Sequence, residues 1–485
     1  MLNNKTKCLI LNLLAFIILS VIYAYIAKII PLNSDGASIL LEGKDLGQGN
    51  FFLQDWHLST ETYFFTDVIF YGIFTKIFGY HIWQWYVIPG ILYAATSIAA
   101  INLIKVKAKS NIWLPFAVFA VPGGFIATIA VRPCIHIGTY VAILITYLLI
   151  DHYQRPGKKS ITLKIILPFA FALILFSDRI SLYLLFIPVF ISFIVDVLKG
   201  EKWRNADILI FALIGYFFSK VIAKLFLLMN GFHLPGTTLP AFVEFDKIFN
   251  NIYLFVLCSL HFFDAMFFGK PIQDTSAIFN LLHFLLFLAL VVGVVKVAKN
   301  IKTLSFVDCS LMVAGITLSV AFLASNMPID LASGRYLFPV YVFMSILVGR
   351  NIVLTKRWQA LFIFITIVLA INTLHGYRHQ HAARTVQVEI RETLQKNGLT
   401  RGFATFWYAS ETAALGDIII APVNDNIDPY LWLTKNSWYD AGNNFVIAEN
   451  NHIEQIARQK FGMPDRVIEV RDCKIMVWNH VISLK

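Results

Sequence analysis

The chain has 485 residues, of which 58% are apolar and only 14% charged, and its mean hydropathy is +0.68. A soluble core cannot hide that much apolar surface, and hydrophobicity this high excludes a disordered chain. The net charge of +11 is unevenly spread: residues 375–485 hold 12 basic and 12 acidic groups, so the whole excess lies in residues 1–374. There the bases sit in short clusters between apolar runs, the pattern of cytoplasmic loops in a multi-pass membrane protein rather than of a nucleic-acid binder.

Crossing a hydrocarbon core about 30 Å thick takes about 20 apolar residues in a helix. The first such run, 8–30, follows Lys5 and Lys7 and has no small-residue cleavage site after it. It reads as an uncleaved span with the N-terminus in the cytoplasm. Further runs lie at 82–104, 112–131, 137–151, 164–178, 180–198, 207–229, 277–297, 306–325, 336–354 and 358–374. The expectation is a polytopic α-helical membrane protein of about eleven transmembrane helices. Basic clusters fall between alternate runs: Lys105/Lys107/Lys109, Arg155/Lys158/Lys159/Lys164, Lys199/Lys202/Arg204, Lys296/Lys299/Lys302 and Arg350/Lys356/Arg357. With Lys5 and Lys7 these loops carry 18 bases and only five acids, Asp151, Asp196, Glu201, Asp207 and Asp308. The other 12 acids of residues 1–374 lie in or beside the opposite loops, which places the C-terminus outside. Two outer loops, 31–81 and 230–276, are too long for turns. Their apolar stretches, Tyr63–Phe78 and Ile252–Phe268, read as interfacial helices or re-entrant pieces.

Residues 375–485 differ in kind. A polar helical stretch, Ala382–Lys396, precedes short β-like runs at Phe403–Trp407, Ile418–Pro422, Phe445–Ala448, Val467–Val470 and Lys474–Trp478. Alternating helix and strand signals predict a small extracytoplasmic α/β domain. It contains no Gly-rich phosphate loop, HExxH or Ser nucleophile elbow. The five cysteines, Cys8, Cys134, Cys258, Cys309 and Cys473, show no CxxC spacing, so neither a zinc site nor a disulfide framework is implied.

The loop 31–81 packs Asp35, Glu42, Asp45, Asp55, Glu61 and Asp67, with His57, beside the membrane. A carboxylate at the end of a span can act as a general base toward a hydroxyl, or hold a metal. Asp35 also reads as the N-cap of a helix over Ala37–Leu46. Glu42 and Asp45 read as a solvated face, and Asp67 as facing water at the interface. Among cations, Lys220 and Lys224 share one face of the seventh span and either snorkel or line a cavity. Arg335 opens the tenth span and Arg132 precedes the fourth. Asp178 and Arg179 read as a local ion pair in a tight hairpin.

The order of these features resembles the C-type (GT-C) integral membrane glycosyltransferases, the group of the protein mannosyltransferases and the lipid A aminoarabinose transferases. The matching features are Asp35 past the first span, the Ala37–Leu46 helix, Gly47/Gly49-Asn50, Trp56–Thr62 and Phe78-Gly79. More loosely they extend to Arg132-Pro133, Ser177-Asp178, Arg335-Tyr336 and Pro339. The resemblance implies a polyprenyl-phosphate-linked sugar donor and transfer with inversion on the outer face of the cytoplasmic (inner) membrane. The acceptor would be a cell-envelope glycan, a lipid or a protein. Asp35 would be the base, supported by Asp67 and by Asp55 or His57, and Lys220, Lys224, Arg335 and Arg132 would hold the donor phosphate. The second outer loop, VRPCIHIG, departs from the pattern in having no carboxylate, so a divalent cation (Mg or Mn) shared between loops is not supplied by acids; His136 is the substitute ligand or a hydrogen-bonded helix-end histidine. Trp407, Tyr408, Trp432, Trp438 and Tyr439 are either buried structure or a sugar platform. A transporter or flippase of a lipid-linked or anionic substrate is the alternative, hinted at by Lys220/Lys224 and by Gly123-Gly124.

Overall fold

The computed structural model describes residues 4–107, 110–120, 122–133, 135–201, 203–235, 241–271, 273–380, 385–416, 418–440 and 442–484. Lys109, Cys134, Lys202 and residues 382–384, the start of the expected polar helix, lie outside them.

In chain order the elements begin with α1 (Asn4–Ile29), α2 (Ser34–Gly47), β1 (Trp56–His57), a π turn at Phe64–Val68, α3 (Ile69–Phe78) and α4 (Gln84–Lys105). Next come α5 (Trp113–Phe119), α6 (Gly124–Ala130), α7 (Ile137–Tyr153), α8 (Ile161–Ser177), a second π turn at Leu182–Phe186, α9 (Ile187–Leu198) and α10 (Ala206–Leu228). The bundle closes with α11 (Ile248–Phe262), α12 (Thr275–Ala298), α13 (Phe306–Ala324), a 3-10 stretch at Leu331–Leu337, α14 (Phe338–Asn351) and α15 (Lys356–Arg378).

Among the described residues seven helices are long and apolar enough to cross a membrane: α1, α4, α10, α12, α13, α14 with its 3-10 lead-in, and α15. α5 and α6 meet at 83° and make an eighth if taken as one broken span. α7, α8 and the Leu182–Leu198 helix are apolar but shorter. Each expected run thus contains helix among the described residues, yet length and composition qualify seven or eight of them as spans. The stretch Tyr63–Phe78 is the first π turn plus α3, Ile252–Phe268 falls largely in α11, and neither is of spanning length. α4, α13 and α14 are mostly buried, whereas α1, α10, α12 and α15 leave most of their apolar surface outward, as a lipid-facing rim requires.

One end of the bundle is tied by a buried ion network. Arg350, 2% exposed, reaches Asp308 Oδ1 at 2.6 Å through Nε and Asp151 Oδ1 at 2.7 Å through Nη2. Lys107 pairs with the other Asp308 oxygen and donates to Asn351 Oδ1 at 2.6 Å. These groups sit at the ends of α4, α7 and α14 and the start of α13, so the four helix ends lie together.

The tail forms α16 (Val386–Lys396), β2 (Arg401–Thr405), α17 (Phe406–Ala414), β3 (Ile419–Val423), β4 (Thr434–Lys435), β5 (Phe445–Ala448), α18 (Asn451–Phe461), β6 (Arg466–Val470) and β7 (Cys473–Val477). Five strands make a sheet in the order β3-β2-β5-β7-β6; the first three are parallel and the last two pairings antiparallel. Trp407, expected at a strand end, opens the crossover helix α17 instead, because a parallel β2–β3 pair needs a helix between its strands. Side chains alternate between two faces. Phe403, Val446 and Met476 pack in the cluster that takes in Ile453 and Ala457 of α18, while Ala404, Ile447 and Ile475 join the main core.

That second face seats the sheet on residues 31–81. α17 packs along α2, Ser34 Oγ donates to the Phe406 carbonyl at 2.7 Å, Tyr80 donates to the Ala414 carbonyl at 2.6 Å, and β1 pairs with β4. The loop after α1 and the C-terminal tail thus fold as one block.

Candidate functional site

α2 starts within a few residues of the end of α1, and its N-cap is Asn33, whose side chain accepts from Gly36 N at 3.1 Å. Asp35 is therefore not the cap. It sits in the first helical turn, where a negative charge is favoured by the exposed N–H groups, and its carboxylate takes no hydrogen bond from a described residue. Burial lifts its carboxyl above the ordinary range, and the charges of Arg335 and then Arg132 pull it back down. Arg132 is itself pulled below its ordinary value by burial, opposed by Asp35 and by Glu411. Two guanidiniums from separate segments thus act on one unbonded carboxylate, joined by an acid of α17.

Arg132 holds the Pro31 carbonyl at 3.3 Å, while its Nε is buried without a partner among the described residues. Arg335 is exposed, lies 5.0 Å from the Tyr336 ring centre and donates to the Tyr336 hydroxyl at 3.0 Å. Glu411 is 5% exposed, accepts from Thr385 at 3.1 Å, and burial raises its carboxyl to about 7.

Arg132 also lines a cavity of about 540 Å³. Its walls come from the end of α1, from α6, from the start of α12 and from the last turns of α15. Lys270 and Asp264 face it from the segment after α11, with Asn280 of α12 and Asn372 of α15. Lys270 donates to Asn280 at 2.7 Å and to Ser276 at 3.0 Å. Asp264 accepts from the first N–H of α6, and burial lifts its carboxyl to about 6. The closeness explains Gly123, where an added Cβ would stand 1.8 Å from Asp264 Oδ2. The cavity thus carries polar side chains, Arg132 among them, and is walled in part by three helices of the lipid-facing rim, α1, α12 and α15.

A second network is built on Asp67, Asp178 and His136. Asp67 is buried rather than facing water. Its Oδ1 accepts from Gly138 N at 3.2 Å, and its Oδ2 has no partner among the described residues. Burial raises its carboxyl to about 6. Only glycine fits at 138, because a Cβ there would lie 1.7 Å from the Thr66 carbonyl oxygen. His136 Nδ1 meets Asp178 Oδ2 at 2.7 Å, and Thr139 donates to the same oxygen at 2.7 Å. Burial pulls the His136 imidazole down, but the carboxylates of Asp178, Glu61 and Asp67 together outweigh it and the net shift is upward. His136 is thus a hydrogen-bonded histidine at the start of α7. Asp178 and Arg179 do not pair: adjacent side chains diverge, and Arg179 grips Glu61 at 2.8 Å instead. This network lines neither the 540 Å³ cavity nor the smaller cleft described below.

Other expected residues stand elsewhere. Asp55 accepts from Ser437 N at 3.0 Å, and His57 Nε2 meets Asn436 Oδ1 at 2.9 Å, so both bind the loop to the C-terminal sheet. Lys220 and Lys224 are exposed on α10, Lys220 lying 5.1 Å from the Tyr216 ring centre, and neither lines the cavity. Glu42 and Asp45 are not a solvated face. Glu42 is 1% exposed beneath the block and its carboxyl is pushed well above the ordinary range by burial. Asp45 accepts from Trp56 Nε1 at 2.8 Å and pairs with Lys435 at 3.1 Å. Of the aromatics, Trp438 packs on Trp56 while Trp407 is 57% exposed near the Ser34 contact.

Among the described residues no three His, Cys, Asp or Glu side chains converge to hold a metal ion. Around Asp35 stand two guanidiniums, Arg132 and Arg335, with one further carboxylate, Glu411, and the guanidiniums suit an anion. Glu411 and Asp264 escaped the sequence reading; the available signal was a lone acid inside an otherwise apolar or small-residue stretch, SETAALG and HFFDAMFF. Neither a protein-family model nor a curated protein matches the chain.

Proposed function

We propose that this chain is an inverting glycosyltransferase. It would move a sugar from a polyprenyl-phosphate-linked donor to a cell-envelope acceptor at the outer face of the cytoplasmic membrane. The observation that carries the reading is Asp35: a carboxylate that takes no hydrogen bond from a described residue, just past the end of α1, under the field of Arg335 and Arg132, the latter opening onto a cavity beside the rim helices. In this reading about eleven helices cross the membrane, the N-terminus is cytoplasmic and the C-terminal α/β block lies outside.

The chemistry follows from the charges. The acceptor hydroxyl oxygen bonds to the anomeric carbon from the side opposite the phosphate. Its proton passes to Asp35, and the carbon–oxygen bond to the phosphate breaks with the electron pair leaving on that oxygen. A carboxyl lifted by burial is a stronger base than one in water. The departing anion needs no proton, because guanidinium groups in a partly dry site stabilise it as it forms. Arg132 and Arg335 take that role; Lys220 and Lys224 stand away from it. The polyprenyl chain would run between α12 and α15. Asp67 keeps a positioning role, since Gly138 ties it to the segment that carries Arg132.

Membranes containing the chain should transfer labelled sugar from a polyprenyl-phosphate sugar to an outer-face acceptor, and membranes lacking it should not. The rival reading, a transporter or flippase, draws on the break between α5 and α6 with a carboxylate at the second piece's N-terminus. Flux of a lipid-linked or anionic substrate through liposomes carrying the pure protein, without any sugar transfer, would establish that rival instead.

A further inference from the structure

A second cleft, of about 260 Å³, lies between the C-terminal half of α2 and the sheet edge, and nothing in the reading above uses it. Lys44, its nearest cation on α2, is nine residues along the helix from Asp35, about 14 Å at 1.5 Å per residue. The cleft is thus separate from the Asp35 cluster. Lys44, Arg401 and Lys435 line it together with one carboxylate, Asp45, a formal balance of +2. Asp45 is already engaged: its oxygens meet Lys435 at 3.1 Å, Trp56 Nε1 at 2.8 Å and Asn50 at 2.6 Å. It neutralises Lys435; Lys44 lies over the Tyr80 ring at 5.1 Å, a contact that keeps its positive charge, and no second acid is among the described residues that line the cleft.

Arg401 is the telling residue. A guanidinium has five N–H donors, and among the described residues this one makes a single hydrogen bond, to the Ser437 carbonyl at 2.9 Å. The rest of its fork is unspent beside the cleft. The walls are not those of a bare ion site. Trp438 packs edge-on to Trp56 with ring centres 5.3 Å apart, Ile418 adds an aliphatic surface, and Gln48, the C-cap of α2, also lines the cleft. A small apolar wall with a few convergent polar groups fits a ring-shaped, hydroxylated molecule, and the surplus of positive charge selects one that carries an anion.

We propose that this cleft binds an acidic sugar residue, a pyranose-sized body bearing a carboxylate or a phosphate. The anion meets Arg401 and Lys44, and the ring lies against Trp438. The proposal stands on the cleft alone. Binding needs neither a lipid donor nor Asp35, so its failure and the failure of the transferase reading are separate events.

Isothermal titration of the full chain in detergent, with glucuronate, glucose 6-phosphate, glucose and inorganic phosphate as probes, tests it. At least one acidic sugar should bind ten-fold or more tightly than both glucose and phosphate, and the preferred one names the anion. Arg401→Gln should weaken that binding ten-fold or more, and Lys44→Gln several-fold. Should Arg401→Gln not fold, Lys44→Gln decides alone, since it lies outside the sheet. The proposal is overturned if neither acidic sugar binds, if glucose or phosphate binds equally well, or if the folded variants bind as the parent chain does.

Discussion

Two charge clusters sit at opposite ends of α7 and of the α14 span, and they are built on opposite principles. At one end Arg350 meets Asp308 and Asp151 at 2.6–2.7 Å and Lys107 pairs with Asp308, with Arg350 and Asp308 buried. At the other, Asp35, Arg132, Arg335 and Glu411 feel one another's fields without a direct bond among the four. Buried charge that is fully paired fixes helix ends and has nothing left to offer a ligand. Charge brought together and left unbonded is costly to the fold and available to a substrate. The contrast, more than the presence of charge, separates scaffold from site.

The largest expected effect lies at the paired end. Arg350→Ala leaves Asp308 and Asp151 buried without their guanidinium, a loss of about 3–5 kcal/mol. The variant should lose its monodisperse peak in detergent or melt far below the parent; a normal melting temperature would deny the network its structural role.

The next effect concerns Asp67, where the two principles mix. Its folded-state carboxyl titrates near 6 against an ordinary 3.8, so the native chain holds this proton more tightly than the unfolded one. Stability from this group is therefore fullest below pH 3.8 and falls as pH rises through about 6. The span of about two pH units corresponds to about 3 kcal/mol. Melting temperatures between pH 4.5 and 7.5 should fall less steeply in Asp67→Asn than in the parent. Equal slopes would mean that Asp67 is ionised and matched by a partner.

A smaller effect is expected at Glu411. As pH rises through about 7 it ionises and draws on Arg132, so KM for the lipid donor should rise a few-fold across pH 6–8. Glu411→Gln should flatten that rise without changing kcat at pH 6. An unaltered pH profile would detach the C-terminal block from the donor site.

How much of this was legible in the sequence depends on how far apart the partners lie. The charge count sorted Lys107, Asp151, Asp308 and Arg350 to one side of the membrane, and these four meet. The apolar runs located the helices, and the β-like runs located the sheet strands to within a residue or two. What failed were local choices between near-equivalent neighbours and contacts across hundreds of residues. Asn33, Ser34 and Asp35 are all good caps, and only backbone geometry picks Asn33. Asp178 beside Arg179 looks like a pair in one dimension and is not one in three. Glu42 seemed solvated because the block that covers α2 arrives more than 350 residues later in the chain. Arg132 and Arg335 were legible as cations, but their convergence on Asp35, and the arrival of Glu411, belong to the packing.

The central claim is that Asp35 serves chemistry and not the fold, and one variant measured two ways tests it. Its carboxyl is raised by burial, so its ionised form burdens the native state, and Asp35→Asn should melt at or above the parent's temperature. The same preparation should transfer sugar from a polyprenyl-phosphate donor at a rate lower by about 10²–10⁴. A folded Asp35→Asn protein turning over at the parent's rate would contradict the account.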